Sequence, residues 1–332
     1  MNVSKIGDMM TLSEWRQNVN TLGNNGTPFL FIVDFEMKKP LVCTLEDADT
    51  LGLLYHVNGN TNAATNLTQK TSPIKFESFP MSELRFKKAF DDVQLQLQKG
   101  NTYLLNLTFP TPIETTLSLE EIFYRSKAPY RLLHPDFVVF SPECFVKIHN
   151  DAIFSYPMKG TIDASIPNAE TIILQDKKEL WEHNTIVDLL RNDLSIVSEN
   201  VVVTKFRTIS KITTHKNELL QVSSEIMGHL PQDWRRQLGD ILLKLLPAGS
   251  ISGAPKSKTV DIIRKAEGED RGYYTGVFGV FDGHNLDSAV MIRYIEKTVE
   301  GYQFRSGGGI TANSDFQSER QELIDKVYVP FV

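Results

Sequence analysis

The chain has 332 residues, 41% hydrophobic and 23% charged, with a formal net charge of −6, a length that can bury a substantial core in one large domain or two. An acidic chain with no basic run lacks the electrostatic footprint of a nucleic-acid binder. Two distant cysteines outside any CxxC, no signal-peptide h-region and no apolar run near membrane-spanning length give the expectation of a cytosolic protein without a zinc site.

Residues 27–34 (TPFLFIVD) and 39–44 read as two opening strands. The Asn- and Thr-rich stretch 58–72 reads as a long mobile loop. Residues 81–99 carry Leu84, Phe86, Ala89, Phe90, Val93 and Leu97 near helical spacing and stop at Gly100, a helix C-terminus signal. Residues 137–148 and 152–156 are strand-like. A helix over 176–193 presents Ile186, Leu189 and Leu190, and 201–209 reads as a strand. Helices are expected over 234–246 and, after Pro255, over 257–266. Strands follow over 273–282, 289–297 and 302–306, then a closing helix over 318–326. Runs of strands separated by helices favour α+β over strict βαβ alternation. No repeat and no composition break appears, so residues 1–332 are expected to form one domain.

Several apparent motifs fail on their own chemistry. GGGITA (307–312) fits a dinucleotide fingerprint, but the chain ends before the following strand and acidic residue that such a site needs. GSISGAPKSK (249–258) has Ala254 and Pro255 where a phosphate loop requires Gly and Lys. GSISG puts Ile251 where a nucleophile elbow requires Ser. ELWEH (179–183) begins with Glu where the inverted zinc-protease motif begins with His.

Two acidic pairs share one spacing. Glu179 and Glu182 stand three apart on one predicted helix, Glu319 and Glu322 three apart on another, and residues three apart share a helical face. Brought together, the two faces offer four carboxylates to a hard, oxygen-preferring cation such as Mg²⁺; the pattern equally describes two solvated helix surfaces. Lys159 follows a predicted strand in PMKGT (157–161). To act as a nucleophile it must lose its proton, a depression of roughly 3 units from about 10.4, toward which a bound Mg²⁺ and cations such as Arg293 can contribute. The glycines at 249 and 253 and at 307–309 suit either close approach of backbone N–H groups to an anion or tight turns.

Taken in order, SPECF (141–145), PMKGT (157–161), ELWEHNTIVDLLRNDL (179–194), PAGSISGAPKSKTVDII (247–263), RGYYTGVFGVFD (271–282), IRY (292–294) and GGGITANSDFQSERQELIDK (307–326) resemble the chorismate-utilising enzymes, and LLNLT (104–108) resembles an earlier strand of that family. The likeness covers roughly residues 80–330. It implies an α+β fold with two mostly antiparallel sheets packed as a sandwich and helices outside. Residues 1–79 correspond to an abbreviated N-terminal part without the full tryptophan-binding region of longer relatives.

The resemblance also implies a site. Glu182 and Glu322 match the Mg²⁺ ligands, and Glu179 and Glu319 join through metal-bound water. The metal grips the ring carboxylate of chorismate, which Lys326 also meets. Arg293 and the backbone of Gly307, Gly308 and Gly309 match the contacts to the enolpyruvyl carboxylate, and Thr161 and Ser252 match polar positions lining the ring.

A lysine in PxKGT is typical of the aminodeoxychorismate synthase branch, whereas anthranilate and isochorismate synthases carry a small residue there. In that branch the lysine attacks ring carbon 2 and expels the 4-hydroxyl. Ammonia then attacks carbon 4 and expels the lysine. Lys159 is thus the expected nucleophile and Glu143 the general acid/base. Gln221 stands where many relatives have a histidine tied to pyruvate elimination, which agrees. Two departures are Val280 for a family tyrosine and Cys144 for an arginine. The implied protein is a transferase of p-aminobenzoate and folate synthesis, fed ammonia by a separate glutamine amidotransferase subunit. The alternatives are anthranilate synthase component I and a catalytically silent subunit of an amidotransferase complex.

Overall fold

A computed structural model describes residues 10–64, 74–213 and 218–330, excluding the side chains of 212 and 213. Part of the expected 58–72 loop lies outside these residues. Among the described residues, two sheets of nine strands carry the fold, and every ladder between their strands is antiparallel. The first holds the opening pair Phe29–Val33 and Leu41–Thr44, then Val277–Phe281, Leu286–Val290, Cys144–His149, Ala152–Ser155, Glu218–His229 and its two neighbours Met158–Asp163 and Glu199–Thr213. The second is built around Leu104–Thr115 and Gly301–Ile310, which pair from Tyr302↔Ile113 to Ile310↔Leu105.

Alternation along the strands produces the layers, because successive side chains point to opposite faces. In Phe29–Val33, Leu30 and Ile32 join Phe278, Val280 and Ala289 against Tyr55, Leu132, Val139 and Tyr294 of the second sheet. This is the face-to-face seam of a sandwich. Phe29, Phe31 and Val33 belong to the larger cluster that collects the helices, among them Trp15, Val19, Phe86, Val93, Leu238 and Leu242. The expected α+β sandwich with outer helices is the fold observed. Among the described residues no helix is long and apolar enough to cross a membrane.

Several elements differ from the sequence reading; the expected run 137–148, for one, is two strands, Phe137–Ser141 in the second sheet and Cys144–His149 in the first. Residues 12–24, to which no element is assigned above, form the helix Leu12–Asn24, closed at its start by a reciprocal capping box between Thr11 and Glu14. The expected strand 289–297 is two strands, Leu286–Val290 in the first sheet and Tyr294–Thr298 in the second. The chain crosses between sheets at residues 291–293, and Arg293 takes a φ of 54° to make the bend. A continuous run of β-formers hides such a crossing, because both halves are equally strand-like.

The two helices with paired glutamates start alike. Asp176 caps Lys177–Ser195 by accepting from Glu179 N at 3.0 Å, and Asp315 caps Phe316–Asp325 by accepting from Ser318 N at 2.9 Å. Glu179 and Glu319 therefore sit in first turns, where the helix dipole favours negative charge.

Candidate active site

A cavity of about 230 Å³ lies between the sheets' ends and these helices, with Glu143, Lys159, Glu182, Gly309, Glu322 and Lys326 in its wall. Its apolar side is formed by Phe145, Val146, Ile186, Leu190, Leu194 and Leu245. Convergent charged groups against an apolar wall are the usual form of a small-molecule site.

Lys159 is aimed by an irregularity. The pairing of Met158–Asp163 with Glu218–His229 slips between Met158 and Thr161, and Gly160 takes a φ of 93°; bulges of this kind re-aim a side chain. Lys159 Nζ lies 2.8 Å from Glu182 Oε2, its side chain 40% exposed. Burial works against its charge. Glu182, with Glu322 and Glu179 further out, outweighs that and holds the ammonium above its ordinary range. The depression expected from neighbouring cations is therefore reversed in this arrangement, because the groups around Lys159 are carboxylates and Arg293 is not among them.

Glu143 sits between strands, its N–H donating to Ser141 Oγ at 3.1 Å and its Oε1 accepting from Ser250 Oγ at 2.6 Å. Burial pushes its carboxyl up, while Ser250, Lys326 and Arg293 pull the other way. The net rise suits a group that must carry a proton near neutrality.

Of the paired glutamates, Glu182 and Glu322 stand in the cavity wall, and Glu179 and Glu319 do not. Burial raises the carboxyls of Glu179 and Glu319, and Glu179 Oε2 is buried without a hydrogen-bond partner. Glu322 pairs with Lys326, which holds its carboxyl below the usual range despite burial. Four oxygen donors, one of them an orphaned buried atom, have the chemistry a hard cation selects. As they stand, no three His, Cys, Asp or Glu among the described residues are gathered closely enough to hold a metal ion; Glu182 is instead engaged with Lys159.

The glycine cluster is a strand rather than a turn. Gly307, Gly308 and Gly309 pair with Thr108, Leu107 and Asn106, and the Gly307 carbonyl accepts from Lys326 Nζ at 2.8 Å. A Cβ on Gly308 would stand 3.3 Å from Glu319 Oε2 and 3.4 Å from Glu322 Oε1; on Gly307 it would meet the Leu107 carbonyl oxygen at 2.3 Å. Bare backbone is what lets the closing helix lay its carboxylates on this strand. Gly307→Ala should destabilise the fold by about 1–3 kcal/mol through overpacking, read as a lower denaturant midpoint; an unchanged midpoint contradicts the close approach.

Other expected residues stand apart from the cavity wall. Arg293 stacks over Tyr328, 5.2 Å from guanidinium carbon to ring centre. It is near enough to Glu143 to lower that carboxyl. Thr161 is exposed, opposite Gln221 in the ladder. Ser252 is fully buried and spends its hydroxyl on the Ala248 carbonyl at 2.8 Å. The sequence reading passed over Ser250 and Asp193, both in the cavity wall. Asp193 pairs with Lys256 at 2.9 Å beside Gly249. The serine spacing in GSISG does not reveal which hydroxyl faces inward.

A family model described as chorismate binding enzyme matches residues 34–331. The chain belongs to this family. An uncharacterized PabA-like protein of Pasteurella multocida is 53% identical over 322 residues, covering 97% of this chain and 99% of that protein. Aminodeoxychorismate synthase component 1 of Bacillus subtilis is 28% identical over 318 residues, covering 84% of this chain and 66% of that protein. The crystal structure of anthranilate synthase component I from Streptococcus pneumoniae superposes with a TM-score of 0.66 at 27% identity, covering 77% of this chain and 59% of that one. Family members with two different named activities are thus about equally similar to this chain, and the choice between them rests on individual residues.

Proposed function

We propose that this protein aminates chorismate at carbon 4 to give 4-amino-4-deoxychorismate. The observation that carries the reading is Lys159, a lysine in PMKGT that lines a cavity together with Glu143, Glu182 and Glu322 and pairs with Glu182. Lys159 attacks ring carbon 2 as a neutral amine, the ring double bond shifts, and the 4-hydroxyl departs as water with a proton from Glu143. Ammonia then attacks carbon 4, the double bond shifts back, and Lys159 leaves.

Glu182 and Glu322, with Glu179 and Glu319, are the residues to hold Mg²⁺, which when bound supplies positive charge for the ring carboxylate of the substrate. Once Glu182 is engaged there, Lys159 loses its counterion and burial favours the neutral amine the reaction needs. We assign Lys326, whose Nζ donates to Gly307 O at 2.8 Å, to the same carboxylate. We assign Arg293 and the 307–309 backbone to the enolpyruvyl carboxylate, and Thr161 and Ser252 to shaping the ring site from outside the cavity wall. A separate glutamine amidotransferase subunit delivers the ammonia, and the product feeds p-aminobenzoate and folate synthesis.

The purified protein given chorismate, Mg²⁺ and ammonium, followed by a separate lyase, should yield p-aminobenzoate. Anthranilate with pyruvate released before any lyase is added would instead make it an anthranilate synthase, a reading kept open by the Streptococcus pneumoniae likeness.

A further inference from the structure

Glu143 is held on several sides, and one of those contacts touches its carboxyl. Its carbonyl accepts from Val290 N at 3.2 Å and its N–H donates to Ser141 Oγ at 3.1 Å. Just beyond it, the pairing of Leu286–Val290 with Cys144–His149 slips between Asp287 and Ala289, the kind of bulge that turns a side chain out of the ladder. The backbone is thereby fixed, yet a glutamate keeps its own rotamers. What anchors the carboxyl is the 2.6 Å bond from Ser250 Oγ to Oε1. The neighbouring Ser252 cannot take this part, because its hydroxyl is spent on the Ala248 carbonyl.

We infer that Ser250 is a positioning residue for the proton transfer: its hydroxyl occupies Oε1 of Glu143 and leaves Oε2 as the oxygen that carries the proton to the departing 4-hydroxyl. The inference rests on the amination reading above. The step balances. The Oε2 proton passes to the leaving hydroxyl, which departs as water, and Glu143 is left as a carboxylate. Ser250 still donates to Oε1, and that bond strengthens as charge develops on its acceptor, so it favours the transition state over the ground state. The charged groups facing Glu143 are the cations Lys326 and Arg293. The adjoining Cys144 stays a thiol, its titration pushed up to about 12 by burial.

Ser250 donation favours the ionised carboxyl, so its loss moves the titration of Glu143 to higher pH. The test compares wild type, Ser250→Ala and Ser250→Thr by turnover across pH with chorismate, Mg²⁺ and saturating ammonium. Glu143 is titrated in parallel by the infrared carboxyl stretch that Glu143→Gln removes. Ser250→Ala should lower kcat about 10-fold, the loss of one hydrogen bond to a charged group, with KM for chorismate little changed. Its Glu143 titration should move upward, and Ser250→Thr should restore both. Wild-type turnover with an unshifted Glu143 titration in Ser250→Ala overturns the role of Ser250 alone. A wild type that makes no 4-amino-4-deoxychorismate overturns the amination reading and the proton-transfer role with it.

Discussion

Replacing Lys159 with alanine should lower chorismate amination on the order of 10³-fold or more, as loss of a covalent nucleophile does, while the far-ultraviolet spectrum and unfolding midpoint stay close to wild type. The fold should tolerate the change because the side chain is 40% exposed in the cavity and its ionic partner there is Glu182. With the lysine end of the pair open to solvent, the pair contributes little to stability. If Lys159 merely balanced the charge of the glutamates, its loss would weaken substrate binding and leave turnover at saturation nearly intact. A kcat within a few-fold of wild type would remove the nucleophile from the account. Steady-state kinetics with ammonium as nitrogen donor separate the two outcomes.

Glu267→Ala should destabilise the protein by about 3–5 kcal/mol, the usual cost of stripping one partner from a buried ion pair. Glu267 and Arg271 are each 1% exposed and joined at 2.6 Å. Arg271 also donates to the carbonyls of Ile251 at 2.9 Å and Asn106 at 2.6 Å, and Glu267 accepts from Thr108 N at 2.9 Å. Removing the carboxylate leaves a guanidinium in the core with no counterion among the described residues and frees Thr108 N. Asn106 is in the cavity wall and Ile251 belongs to the segment bearing Ser250, so the site should loosen with the fold. The double replacement Glu267→Ala/Arg271→Leu should recover a large part of the loss, because it removes the stranded charge. Denaturant unfolding of both variants measures this; a single variant within 1 kcal/mol of wild type would contradict it.

Much of the site is expected without coordinates from the resemblance of its motifs to a family, and local spacing carries a smaller part. The i,i+3 glutamates need only a helix to share a face, and Asp176 and Asp315 supply the caps that start those helices. The opening hairpin and the helix Glu83–Gln98 follow from alternation and periodicity in the same way. What periodicity does not carry is where a regular pattern breaks. The crossing at residues 291–293 depends on Arg293 bending between sheets, and nothing in a run of β-formers marks it. The strand nature of Gly307–Gly309 follows from pairing with a segment some two hundred residues earlier. The helix Leu12–Asn24 did leave a signal, Thr11 three residues before Glu14 and Trp15, Val19 and Leu22 at helical spacing.

Electrostatics is the other illegible part. The sequence reading looks to a bound Mg²⁺ and cations such as Arg293 to lower the proton affinity of Lys159, whereas folding gathers Glu182, Glu322 and Glu179 about it and raises that affinity. Spacing tells which residues share a face, but not which of two opposite charges comes within 3 Å.

The central claim is a covalent bond between Lys159 and the chorismate ring. Intact-protein mass measurement with peptide mapping, on enzyme given chorismate and Mg²⁺ without ammonium, should find the mass of chorismate less one water added at Lys159, and added ammonium should discharge it. An unmodified Lys159, in a preparation that turns over as soon as ammonium is supplied, would contradict the account.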